Sequence, residues 1–167
     1  KYFIVGSVAS GVGLYGLSML YLWAGSLQFN VLAEQFVING TDPLPLIAMG
    51  FVLVGFGFKV SAAPFHFAAP DAYAGASSPI AGILATASKA MGIIGLLRML
   101  LIVAAPEASE DGTVWLTLLG VLSLVTMTWG NIAALGSTNP KRMLAYSSVA
   151  HAGYMLAAIT AIGAWNW

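Results

Sequence analysis

Five times along this chain an apolar run appears that is long enough, as a helix, to cross the ~30 Å hydrocarbon core of a bilayer, which takes about 20 residues. The runs are 3–24, 44–75, 80–104, 113–136 and 143–163. In lipid every backbone polar group needs an internal partner, so only helices and closed barrels span. Barrel strands would read as alternating segments of about ten residues, and nothing here alternates. Composition points the same way: 59% of residues are hydrophobic and 7% charged, against roughly 25% charged in a soluble domain. The sequence therefore predicts an all-α integral membrane protein with about five transmembrane helices. A net charge of zero without basic runs argues against a nucleic-acid partner. With no cysteine, disulfides, thiolate nucleophiles and Cys-held metals or iron–sulfur clusters are excluded.

The chain opens Lys1-Tyr2-Phe3 without a signal-peptide pattern and ends AIGAWNW directly after an apolar run. We read it as a fragment. Its punctuation is helical: Ser78-Pro79 and Asn139-Pro140 each set a capping residue before a proline, and Asp111 can cap the fourth run. Small residues (Gly6, Ser10, Gly13 and Gly16; Gly82 and Ala85) allow close helix approach. Tyr2, Trp23, Trp115, Trp165 and Trp167 stand at run ends, the usual place of interfacial anchors.

The loops set an orientation. Loop 25–43 holds Glu34 and Asp42 with no basic residue, and loop 105–112 holds Glu107, Glu110 and Asp111. Loop 137–142 carries Lys141 and Arg142, on the same side as Lys1 and 76–79. The positive-inside rule makes 76–79 and 137–142 cytoplasmic, in what is expected to be a bacterial cytoplasmic membrane. Lys141 and Arg142 lie in a helix's first turn, which disfavours cations, so topology rather than helix stability explains them.

The second run cannot be one straight helix. Its roughly 32 residues would extend ~48 Å, and it contains GFGFKVSAAPFHFAAPDAY, residues 55–73. Pro64 and Pro70 each remove a helical hydrogen bond and crowd the preceding turn. The expected form is a discontinuous helix, broken after about Phe58–Ser61. Freed backbone inside a membrane is tolerated where it is buried in protein or lines a wet cavity, and broken helices commonly mark ion or substrate sites.

Away from the loops few ionisable groups remain: Lys59, His66, Asp71, Lys89, Arg98 and His151. Such groups usually face a bundle interior or a wet cavity. Lys89, nine residues into its run, lies ~14 Å from the cytoplasmic end, and His151 ~12 Å from it on a helix running the same way. With Lys59 beside the break, the three can form a lateral row. Desolvated lysine and histidine are groups that take and release protons. Ser61, Thr86, Ser88, Ser147, Ser148 and Tyr146 could order water between them.

Other readings stand beside this one. Lys59 and Lys89 could snorkel, and Arg98, near the outer end of its helix, fits snorkelling best. His66 either satisfies carbonyls freed by Pro70 or relays protons; His151 either joins two helices or relays protons. Asp71 is expected to cap or pair locally, and Asn131 to join helices. No span carries a mid-membrane acidic residue, which leaves the buried lysines without an obvious carboxylate partner other than Asp71.

FKVSAAPFHFAAPDAYAGASSPIAGILATASKA and GNIAALGSTNPKRMLAYSSVAHAGYMLAAI resemble the antiporter-like membrane subunits of respiratory complex I. Within them the resemblance is closest to the NADH-quinone oxidoreductase subunit N family, the bacterial counterpart of mitochondrial NADH dehydrogenase subunit 2. KYFIVGSVASGVGLYGLSMLY matches too, so the likeness runs through nearly the whole chain, 1–167. Lysine at position 89, where several sister subunits have histidine, favours subunit N.

The resemblance implies a proton channel in a fourteen-helix subunit of two inverted five-helix repeats. This chain would hold the last three helices of the first repeat and the first two of the second. Lys59 matches the family's broken-helix lysine, Lys89 its next-helix lysine, and His151 a histidine common in this subunit. The partner glutamate would precede Lys1, and the second repeat's broken helix would follow. Quinone reduction would occur elsewhere in the complex and drive protons here. NAD, FMN, iron–sulfur clusters and quinone would sit in other subunits; no cofactor or metal is expected in this chain, and it would be part of the enzyme only as a translocase subunit. Partners would be the other membrane subunits and the lipid bilayer. The alternatives are a subunit of a multisubunit cation/proton antiporter, one of a related photosynthetic or hydrogenase-type complex, and a structural membrane spacer.

Overall fold

Asn139 and Pro140 start a helix as the sequence predicts: the Asn139 side chain accepts a hydrogen bond from the Lys141 amide at 2.9 Å. The computed structural model describes residues 2–39, 42–100 and 110–165, with 110–114 and 165 by backbone alone. Its elements are α1 (Tyr2–Ala24), α2 (Phe29–Asn39), α3 (Pro43–Val60), a 3-10 turn (Phe65–Phe67), α4 (Ala68–Gly75), α5 (Ser78–Ala85), α6 (Ala87–Arg98), α7 (Glu110–Leu135) and α8 (Pro140–Trp165). Five stretches are long and apolar enough to cross a membrane: Tyr2–Ala24, Pro43–Gly75, Ser78–Arg98, Trp115–Leu135 and Pro140–Ala164. These are the predicted runs to within a few residues. Positions 101–104, Lys1, Glu107 and Trp167 lie outside the described residues.

Several boundaries differ from expectation. Ser77, in extended conformation, precedes the third span; Ser78 and Pro79 are already helical. α7 begins at Glu110, which places Asp111 inside the helix rather than at its cap. Loop 25–43 contains α2, whose Leu32 and Phe36 are buried one turn apart. Trp23 sits edge-on to Phe36 at 4.9 Å, and its indole N–H donates to Asp42 at 3.4 Å. Trp115 is no interfacial anchor: it is buried in the main hydrophobic cluster with Leu20, Met49, Leu119 and Leu156. The third span bends at Thr86 (φ −110°, ψ −77°), whose hydroxyl donates to the Gly82 carbonyl at 2.8 Å. Such back-bonding competes with the helical ladder and bends helices.

The second span is broken where the sequence predicts. α3 ends in Ser61, which adopts the left-handed conformation (φ 62°). The Ser61 and Ala62 amides close the helix onto Phe58 and Gly57 carbonyls at 3.1 and 2.8 Å. Pro64 follows a cis peptide in the gap. Pro70 does not add a second break: it lies in the first turn of α4, where its missing N–H costs nothing. Between the halves, the Ala63 amide donates to the hydroxyl of fully buried Thr126 on α7 at 3.0 Å, and that hydroxyl donates in turn to the Leu122 carbonyl. Thr126→Val leaves this buried N–H without a partner, a loss of about 1–3 kcal/mol. Thermal inactivation of the assembled complex should show it, with Thr126→Ser close to wild type.

Each half of the broken helix has its own support. α3 packs along α1 so closely that a Cβ on Gly13 would come 3.1 Å from the Gly55 Cα. α4 is tied to the start of α8: Arg142 pairs with Asp71, and Lys141 Nζ donates to the Ala76 carbonyl at 3.2 Å. Asp71 thus pairs across the bundle, not locally. The two first-turn cations have a structural use besides topology, since Lys141 caps the carbonyl end of α4. α7 and α8 pack along their length, closest where a Cβ on Gly130 would meet the Ala150 amide nitrogen and one on Gly153 that of Met127, both at 2.6 Å.

Candidate functional site

Lys59 occupies the last turn of α3, where the unsatisfied carbonyl end of a helix favours a cation. Its aliphatic stem lies against α6, since a Cβ on Gly92 would come 3.0 Å from Lys59 Cγ. The residue as a whole is exposed. Lys89 is in the first turn of α6, just beyond the Thr86 bend, and only 2% exposed. Its Nζ donates to the Ser148 hydroxyl at 2.7 Å and to the Ser148 carbonyl at 2.9 Å, on α8. The Tyr73 ring of α4 lies 5.8 Å from the same nitrogen, within cation–π range. Tyr73 is itself fixed, donating its O–H to the Leu84 carbonyl at 3.1 Å.

Tyr73 also joins the two lysines' surroundings. Together with Lys59, Ser61 and Ser88 it lines a polar cavity of ≈ 10 Å³ beside the break, the scale of one water position. Lys59, Tyr73 and Lys89 therefore form a polar line from α3 through α4 to α6, and Ser148 extends it to α8. Its ammonium, hydroxyl and phenol groups are all hydrogen-bond donors, and the phenol is committed to the Leu84 carbonyl while its ring faces Lys89. Among the described residues no group of His, Asp and Glu could hold a metal ion.

The two histidines lie apart from this line. His66, 6% exposed, sits in the 3-10 turn between the rings of Phe67 and Trp129, at 4.9 and 6.0 Å. Its Nδ1 is buried without a hydrogen-bond partner. His151 is exposed on α8 and edge-on to Tyr154 at 5.6 Å. One turn before it on the same helix, Ser148 makes the contact with Lys89. Asn131 joins helices as expected, donating from α7 to the Tyr154 hydroxyl at 3.0 Å. Arg98 is exposed at the end of α6, its guanidinium 5.7 Å from the Phe29 ring of α2. Tyr73 and Thr126 escaped the sequence reading. A tyrosine within an intramembrane run, whose O–H needs a partner when buried, was the available signal for the first; a lone threonine in an apolar helix gives none.

The whole chain, residues 1–167, matches the family described as NADH:quinone oxidoreductase/Mrp antiporter, TM. The chain belongs to that family. Among its curated relatives, NADH-quinone oxidoreductase subunit N 2 of Roseiflexus castenholzii is 44% identical over 98% of this chain and 33% of its own length. Among solved structures, a chain of respiratory complex I from Thermus thermophilus, with bound aureothin, is 41% identical. It superposes with a TM-score of 0.77 over 95% of this chain and 33% of its own. A chain of the archaeal membrane-bound sulfane sulfur reductase, at 25% identity, gives a TM-score of 0.85 over 96% of this chain and 32% of its own. The chain thus spans about a third of the length of the relatives it matches. Like other members of the family, it is an antiporter-like membrane protein built of transmembrane helices.

Proposed function

We propose that this chain carries part of the proton path of an NADH-quinone oxidoreductase, with Lys59 and Lys89 as the proton-exchanging groups. The observation that carries the proposal is Lys89: a lysine almost wholly buried in a membrane bundle, held by neutral oxygens and an aromatic face, with no ion pair among the described residues. Intramembrane charge of this kind is rarely kept without use. Lys59, exposed as a whole but lining the polar cavity beside the break, is the second group of this reading. Quinone reduction, in other subunits, drives the movement, and the carboxylate expected to pair with Lys59 precedes Lys1. His66 and His151 are secondary members of the relay, outside the cavity. Loops 76–79 and 137–142 face the cytoplasm.

Replacing Lys59 with methionine in the intact complex is expected to lower proton-coupled quinone reduction about ten-fold or more, a barrier change of ~1.4 kcal/mol, while the complex still assembles. Wild-type turnover with unchanged protons moved per electron would overturn the assignment.

A second reading is favoured by the family itself, which includes Mrp antiporters: a subunit of a cation/proton antiporter in which the same lysines move protons against a metal cation. Genes flanking the full-length gene separate the two, since one reading needs quinone oxidoreductase subunits there and the other antiporter subunits.

A further inference from the structure

Lys89 is held by one residue through two different oxygens. Its Nζ lies 2.7 Å from the hydroxyl of Ser148 and 2.9 Å from the carbonyl of the same residue, and the Tyr73 ring covers a third direction. We infer that Ser148 is the positioning residue that lets Lys89 change protonation state without its surroundings being rebuilt. The inference rests on the proton-carrying reading of Lys89 given above.

The reason lies in the donor and acceptor inventory. An ammonium has three N–H donors and no acceptor, and both Ser148 oxygens accept from it. A neutral amine has two N–H donors and one lone pair. The carbonyl still accepts, while the hydroxyl turns and donates to the lone pair. A serine hydroxyl has one donor and two acceptor sites, and its hydrogen rotates to suit, so the same heavy-atom geometry serves both states. A carboxylate in its place would be acceptor-only and fit the ammonium alone; an alanine would fit neither fully. The transferred proton is the lysine's own: the ammonium gives it up to a water molecule, leaving the neutral amine, and takes one back from water in the reverse step. Ser148 keeps its hydroxyl proton throughout and only reorients it. Tyr73, anchored to Leu84, keeps the third direction constant. Preorganisation of this kind lowers the rearrangement a proton transfer needs.

The test uses the intact complex in native membranes, with rates taken per assembled complex. Ser148→Ala and Ser148→Val remove the hydroxyl and keep the carbonyl; Ser148→Thr keeps both; Ser148→Asp supplies acceptors only. Both hydroxyl-free variants should slow proton-coupled turnover about ten-fold, or ~1.4 kcal/mol of barrier, and raise the solvent isotope effect. Threonine should restore the rate to within about two-fold, and aspartate should not. Since threonine and valine have nearly the same shape, a difference between them isolates the hydroxyl. Wild-type rates in Ser148→Val, with Lys89→Met disabled, would overturn this inference alone. Wild-type rates in Lys89→Met as well would remove the reading beneath it. Loss of assembly in both Ser148→Ala and Ser148→Val would make Ser148 a folding residue, and overturn the inference too.

Discussion

Lys89→Met in the intact complex should abolish most proton-coupled quinone reduction, by about 100-fold, while leaving the complex assembled. The size follows from what a positioned acid–base group contributes to proton transfer, typically 10²–10⁴-fold. Assembly should survive because the fold does not need this ammonium. Methionine has a similar length and fills the space at the start of α6 with apolar atoms, removing a polar head that burial penalises. The Ser148 hydroxyl, released from Nζ, can turn to a carbonyl of its own helix, as Ser18 and Thr160 do toward Leu14 and Leu156. Proton uptake per electron, measured alongside native-gel abundance, separates the two effects. Wild-type turnover with normal stoichiometry in an assembled Lys89→Met complex would refute the role. A structural role would instead show as lost abundance with normal turnover in whatever assembles.

The largest effect on stability is expected at Gly130. A Cβ there would lie 2.6 Å from the Ala150 amide nitrogen and 2.9 Å from its Cα. These are backbone atoms of a neighbouring helix and cannot swing aside as a side-chain tip can. Gly130→Leu must therefore push α8 away from α7, where the Ser123 hydroxyl reaches the Gly153 carbonyl at 2.8 Å and Asn131 reaches Tyr154. Overpacking alone costs typically 1–3 kcal/mol, and each lost interhelical bond adds about 0.6 on average. The expected outcome is no detectable assembled complex on a native gel. Gly82→Ala is the matched control: its added methyl meets nothing within 4 Å, and abundance should be unchanged.

What could be read from the sequence follows from which forces act locally. Run length alone fixes where a chain must cross lipid, and all five spans came from it. Proline chemistry located the break at 61–64. It did not tell Pro64 from Pro70, because a proline in a first turn and a proline that ends a helix look alike until the helix start is known. Interhelical partners are a different matter. Ser18 bonds its own helix and Ser123 the neighbouring one, yet both are single hydroxyls in apolar runs. The difference is rotation of a helix about its axis, which no span-length pattern encodes. Ser148 was therefore one of several hydroxyls that could order water, and Thr126 carried no mark. α2 was legible in principle, since Leu32 and Phe36 stand four residues apart with Glu34 and Gln35 between them, but its eleven residues are too few to cross lipid and so give no run-length signal. The family was the most legible layer, since the two quoted motifs contain Lys59, Lys89 and two of the four span junctions, 76–79 and 137–142.

The separate anchoring of the two half-helices has a mechanical consequence. α3 is clamped to α1 at Gly13 and Gly55, while α4 is clamped to α8 through Asp71–Arg142 and Ala76–Lys141. Two stiff levers meet at one joint, residues 61–64, pinned from the side by Thr126. A load applied to either lever is delivered at that joint, and Lys59 and Tyr73 stand on opposite sides of it. The joint is where any relative movement of the two halves would be taken up, beside the last turn of α3 that carries Lys59.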